Sequence, residues 1–168
     1  MFQQEDTRRQ SPLGIVAAFL RRIGVIGSAL ACACVSIPVA GMIAVCADKL
    51  WPSHRSDLDS LSAAQLTLLA VFAGPILETL FFQLLVGAAA KAFSSNMAVR
   101  MVMICIPFAL SHFPLGVSAG LSAGVVGGVV FGFLFIAWQD VSVSKAVLAT
   151  FLAHSLHNAA VLAVDRFS

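Results

Sequence analysis

Five apolar stretches, at about 23–47, 64–90, 97–113, 115–138 and 144–164, each come close to the roughly 20 residues a helix needs to cross a bilayer. In hydrocarbon every backbone N–H and C=O must be satisfied within the spanning structure, and single apolar stretches of this length do that as helices. The pattern predicts an all-α, polytopic membrane bundle of five transmembrane helices. Composition agrees: 60% of the 168 residues are hydrophobic and 11% charged, against about 25% charged in an ordinary soluble domain. Lipid is then the solvent around the fold, so close packing and buried polar contacts must organise it.

That setting excludes some functions. The net charge of +2 is small and dispersed, and no Lys/Arg run offers a surface that could track phosphates, so no nucleic-acid partner is expected. Cys32, Cys34, Cys46 and Cys105 fall in or beside apolar runs, where a thiol packs as a small hydrophobe. Cys32 and Cys34 form C-x-C with no matching pair, so neither a disulfide nor a cysteine zinc site is expected.

Arg21 and Arg22, the apolar run after them and "ACA" at 31–33 imitate a signal peptide, but the run continues to Ala47, long enough for an uncleaved anchor. Residues 1–22 are read as a cytoplasmic N-terminal segment and 23–168 as the transmembrane bundle. Within the former, "SPLGIVAAFLRR" at 11–22 reads either as an interfacial helix or as an extension of the first span. The sizeable polar connection is "DKLWPSHRSDLDSLS" at 48–62, where Asp59, Ser60 and Ser62 offer caps for the second span. An N-terminus inside places Arg8, Arg9, Arg21, Arg22, Lys91, Arg100 and Lys145 in the cytoplasm and leaves Lys49, Arg55 and Arg166 outside. The positive-inside rule therefore favours a cytoplasmic N-terminus and an external C-terminus in the plasma (inner) membrane.

The fourth span carries Gly116, Gly120, Gly124, Gly128 and Gly132, with Gly127 adjacent. Residues four apart share a helix face, so this spacing predicts a groove into which a neighbouring backbone fits closely.

Strongly polar side chains at depth are few: Glu78, Thr79 and Gln83 in the second span, His112 in the third, and His154, His157 and Asn158 in the fifth. A carboxylate at mid-bilayer costs on the order of 2.5–3.5 kcal/mol on insertion scales, so Glu78 needs partners and a purpose. Counted from Lys91, Arg100 and Lys145 at 1.5 Å per residue, Glu78, His112 and His154 lie roughly 20, 18 and 14 Å deep, within about a turn of one layer. His154 and Asn158 are four apart and share a face, with His157 close to it; Thr79 and Gln83 are likewise four apart. Pro75 leaves the carbonyl of Val71 without its helical donor, which would kink the helix and admit water beside the acid. An acid, imidazoles and a carboxamide at matched depth are the groups acid-base hydrolysis uses.

In order and spacing, "ETLFFQ" (Glu78 to Gln83), "FALSH" (Phe108 to His112) and "HSLHN" (His154 to Asn158) resemble the motifs of the CPBP (Abi) family of intramembrane proteases, which includes CAAX prenyl endopeptidases and bacteriocin-linked membrane proteins. The family shows Glu-Glu-x-x-x-Arg, Phe-x-x-x-His and His-x-x-x-Asn or Asp on successive motif helices, and the likeness spans about 64–164. Thr79 and Gln83 replace the family's second Glu and its Arg, exchanging an ionic pair for a neutral, hydrogen-bonding one.

The resemblance implies a glutamate-type endopeptidase acting on a membrane protein or lipidated peptide. Glu78 with His112 would activate water, while His154 and Asn158 would position the scissile carbonyl and stabilise its oxyanion. Thr79, Gln83, His157 and Phe108 would support them. No cofactor is expected; zinc held by Glu78, His112 and His154 ranks second, since H-E-x-x-H is missing. Two other readings use the same residues: a non-catalytic immunity or scaffold protein whose polar cluster specifies packing, and a proton or metal-ion conduit. Haem held by facing histidines is more remote.

Overall fold

A computed structural model describes residues 11–51 and 61–167, with side chains as far as Val164. The described residues form six helices: α1 Pro12–Arg22, α2 Gly24–Leu50, α3 Ala63–Phe93, α4 Met97–His112, α5 Val117–Gln139 and α6 Val143–Phe167. Of these, α2 to α6 are long and apolar enough to cross a membrane, α4 together with a 3-10 turn over Phe113–Leu115. The chain is an all-α polytopic bundle, and the five spans fall on the five expected stretches.

α1 is capped by Ser11, whose hydroxyl accepts from the Gly14 N–H at 3.0 Å. It does not extend the first span. The helix breaks at Ile23, and Gly24 takes φ +79°, a left-handed conformation that glycine adopts without a Cβ penalty. The chain turns back there, so that Ala17 and Leu20 join the core beside Trp138. Ser28 fastens the joint: its hydroxyl accepts from Trp138 Nε1 at 3.2 Å and lies 2.6 Å from the carbonyl oxygens of both Leu20 and Gly24.

Ser62 caps α3 in a reciprocal capping box with Gln65, whose side chain accepts from the Ser62 N–H at 2.9 Å. The other expected caps, Asp59 and Ser60, lie outside the described residues. α3 is not a uniform α-helix. Two π-helical stretches, Leu68–Ala73 and Thr79–Val86, flank the five α-helical residues Gly74–Glu78. Such wide turns occur often at functional sites.

α5 is the central helix, with 56% of its most apolar window buried against 17–28% for the other spans. Its glycine face meets α4 step by step. A methyl group at Gly124 would lie 2.9 Å from the Ala109 carbonyl oxygen and 3.0 Å from His112 Cβ, and one at Gly128 would lie 3.2 Å from the Cys105 backbone. Gly132 faces Ile104 in the same way. The expected stripe is one residue too long, however. Gly116 precedes the helix at φ +117°, where it turns the chain from the 3-10 segment into α5.

On its other flank α5 meets α6, which turns the fully buried Ala146, Ala149 and Ala153 toward the core. α2 contributes a comparable row of small buried residues, Ala29, Ala33, Ser36 and Ala40. Small side chains let these helices approach closely enough for dispersion to hold them in lipid.

Basic residues gather at one end of the bundle. Lys91 bonds Asp140 at 2.8 Å, Arg100 reaches Asp140 at 3.4 Å and also bonds Gln139, and Arg21 donates to the Ala137 carbonyl at 2.9 Å. Lys145 sits 5.8 Å over the Trp138 ring. The four cysteines are free thiols.

Candidate functional site

Glu78 ends the short α-helical segment between the two wide turns of α3, which aims its side chain across the bundle toward α4 and α6. His112 is the last residue of α4, placed against α5 by the missing side chain at Gly124. His154 lies on α6, one turn beyond Thr150 and 3% exposed. These three meet. The Nε2 atoms of His112 and His154 each approach Glu78 Oε2 to 3.6 Å. Equal rise per residue spreads them over about a turn in depth, and the wide turn over Thr79–Val86, between Glu78 and Lys91, helps close that spread, because a π turn advances less per residue than an α turn.

A separation of 3.6 Å exceeds a direct hydrogen bond and is the range in which a water between polar groups should be considered. Glu78 Oε2 is itself buried and has no hydrogen-bond partner among the described residues, while the side chain as a whole is 28% exposed. The site is therefore reachable without being open.

The two histidines are held differently. His112 Nδ1 lies 2.8 Å from the Phe108 carbonyl, which can only accept, so this nitrogen carries a proton, and Nε2 is the ring atom turned to Glu78. The Ser111 hydroxyl, 2.7 Å from the same carbonyl, lies 3.1 Å from Nδ1. His154 Nδ1 has no hydrogen-bond partner among the described residues. Its ring is instead sandwiched by aromatics, stacked on Phe131 with centroids 4.5 Å apart and edge-on to Phe108 at 5.9 Å. Phe108, fully buried, also touches the ring of His112 at 4.7 Å and that of Phe82 at 5.3 Å.

The remaining expected residues lie around this centre and do not join it. His157 turns toward α2, where its Nδ1 bonds the Ser36 hydroxyl at 2.9 Å, both groups being buried. Asn158 Nδ2 donates to the Ala70 carbonyl of α3 at 2.8 Å. Thr79 and Gln83 are buried at 1% and 0% exposure, yet neither Thr79 Oγ1 nor either amide atom of Gln83 has a hydrogen-bond partner among the described residues. The expected hydrogen-bonded pair is not formed, because Thr79 opens a wide turn in which four residues no longer complete a revolution. Thr79 instead faces an apolar cavity of about 600 Å³ between α3 and α6, lined also by Ile76, Leu80, Val147 and Phe151.

Pro75 bears on a second carbonyl besides that of Val71. The Gly74 N–H bonds the Leu69 carbonyl, five residues back, and in that wide register the next donor, for the Ala70 carbonyl, would come from position 75. Proline has no N–H to give it. The Asn158 amide fills the place.

Phe131, Ser36 and Ser111 were missed from the sequence. Phe131 is one apolar residue in an apolar run, and only its place beside the glycine face could have drawn attention to it. Zinc needs three donors at about 2.0–2.2 Å from one point. Among the described residues no group of three or more His, Cys, Asp or Glu side chains is so arranged.

The family model for the Rce1-like type II CAAX prenyl endopeptidases matches residues 60–160, a stretch that contains Glu78, His112, His154 and Asn158. No curated protein and no solved structure matches the chain.

Proposed function

The chain belongs to the Rce1-like, type II CAAX prenyl endopeptidase family, and from that premise we propose that it hydrolyses a peptide bond in a membrane protein or lipidated peptide, using Glu78, His112 and His154. The observation that carries this reading is the approach of two imidazoles, from separate helices, to one buried carboxylate oxygen at 3.6 Å each.

In this reading a water bound between Glu78 and His112 loses a proton to that pair, since the Nε2 lone pair of His112 and the carboxylate are both acceptors. The water oxygen adds to the scissile carbonyl carbon, and the displaced electron pair moves onto the carbonyl oxygen. His154, with a proton on Nε2, donates to that oxygen as negative charge develops there, the kind of contribution that grows toward the transition state. Collapse of the adduct breaks the C–N bond, and the proton held by Glu78 and His112 passes to the departing nitrogen. A carboxylic acid and an amine result, and proton exchange between them leaves a carboxylate and an ammonium. His154 supplies the oxyanion donor here, while one of the two Asn158 amide hydrogens is engaged with the Ala70 carbonyl.

The apolar cavity beside Thr79 supports a hydrophobic-tailed substrate entering between α3 and α6. The gathering of Arg21, Lys91, Arg100 and Lys145 at one bundle end supports a cytoplasmic placement of that end, hence of the N-terminus. No step is assigned to a metal.

The test compares membrane-protein fragments by mass spectrometry between cells with the intact chain and cells carrying Glu78→Ala or His112→Ala. A fragment lost in both variants is expected. Full processing in both would refute the enzyme, and retention of activity by Glu78→Gln would leave the cluster a packing device.

A further inference from the structure

Three observations converge on Asn158. The first wide turn of α3 ends with the Gly74 N–H on the Leu69 carbonyl. The next donor in that register would be position 75, which is proline and has no N–H to offer the Ala70 carbonyl. From α6, Asn158 Nδ2 meets that carbonyl at 2.8 Å.

We propose that Asn158 is a positioning residue, a cross-helix latch that replaces the N–H missing at Pro75 and holds the Glu78-bearing turn of α3 against α6. Its effect on any reaction rests on the function proposed for Glu78 and His154; the latch itself does not. The geometry explains the placement. Glu78 follows Pro75 by three residues and Asn158 follows His154 by one helical turn, so the latch and the Glu78–His154 approach are two rungs between the same pair of helices. A carbonyl left bare there would draw α3 toward another donor and carry Glu78 with it. One hydrogen of the Asn158 amide is committed to the backbone in this way.

The two roles separate in a double-mutant cycle. In Pro75→Ala a backbone N–H becomes available to the Ala70 carbonyl, from position 75 in the wide register or from Gly74 if the turn tightens, so the latch becomes redundant. Four proteins are compared in detergent: the parent chain, Asn158→Ala, Pro75→Ala and the double variant. The readouts are the melting temperature and the ring nitrogen NMR signals of His154 in protein labelled at histidine, neither of which needs a substrate.

Asn158→Ala is expected to lower the melting temperature by about 2 °C, the scale of one interhelical hydrogen bond in a chain of this size, and to shift the His154 signals. In the Pro75→Ala background both changes should fall to less than half. Asn158→Leu, which keeps the volume and lacks the donor, is run beside it so that a cavity is not mistaken for a lost bond. Equal effects of the Asn158 substitutions in both backgrounds, or an unmoved His154 signal, would overturn the latch. Loss of the endopeptidase reading, seen as unchanged fragments in Glu78→Ala cells, would leave these two readouts intact and still decisive.

Discussion

Phe131 lies flat on His154, with ring centroids 4.5 Å apart and planes inclined by 25°. Because His154 Nδ1 has no hydrogen-bond partner among the described residues, stacking takes over the orienting task that a hydrogen bond performs for His112. An aromatic pair is worth about 0.5–1.5 kcal/mol beyond its buried area. Phe131→Leu should therefore slow formation of the Glu78-dependent fragment by about 2- to 10-fold at unchanged protein level, and Phe131→Trp should retain more activity than Phe131→Leu. Equal rates for Phe131→Leu and the parent chain would show that the ring is held by something else.

Gly124 sets the distance between α4 and α5 at the height of His112. A methyl group there would lie 2.9 Å from backbone oxygen of Ala109, which cannot move without moving the helix. Gly124→Ala is expected to displace His112 from Glu78 and abolish most cleavage. Gly41, with nothing within 4 Å of an added methyl, is the control, and Gly41→Ala should be silent. Comparable activity in the two variants would dissociate the close helix contact from the site.

Asp140 lies between α5 and α6, outside the spans. Partial burial pushes its carboxyl up, but the hydrogen bond from Lys91 and the charges of Arg100 and Lys91 together outweigh this and hold it below the ordinary carboxylate range. The folded state thus releases this proton more readily than the unfolded chain. The resulting stability is fully present above the unfolded value, about pH 3.9, and is lost as pH falls through the lower folded value. Melting curves should show an acid-side decline that is smaller in Asp140→Asn, an effect kept modest because the side chain is 44% exposed. An identical decline in that variant would assign the acid sensitivity elsewhere.

Metal removal gives a further check. With Glu78, His112 and a water as the proposed working groups, prolonged dialysis against a chelator should leave Glu78-dependent cleavage unchanged. Loss of cleavage that zinc restores would replace the water-activating role of the carboxylate with a metal-ligating one.

The spans were legible because hydrocarbon imposes a length and an apolar composition that any sequence must display. Glu78, His112 and His154 stood out for the complementary reason: polar groups are costly there and therefore rare. What escaped lay in the backbone. Nothing in "LLAVFA" announces a π turn, so α-helical spacing points to the Val71 carbonyl and gives no hint that Ala70 is the one Asn158 bonds. Asn158 was recognised as polar and placed on the right face, but its partner is a main-chain atom that no motif encodes. Gly116 fitted the glycine spacing and still fell outside the helix, because Pro114 and a 3-10 turn end α4 just before it. Phe131 is invisible for a simpler reason: stacking needs an aromatic ring, and an apolar helix supplies several at no distinguishing position.

The wide turns of α3 also bear on how related chains should be compared. Each π turn is equivalent to one extra residue absorbed within a continuous helix, and it rotates everything on one side of it by about a quarter turn or more relative to the other. A relative that keeps a uniform helix here would match this one only across two single-residue gaps in mid-span, where gaps are normally forbidden to membrane helices. Alignments that push such a gap out to the loop would pair Glu78 with the wrong face and make a shared site look lost.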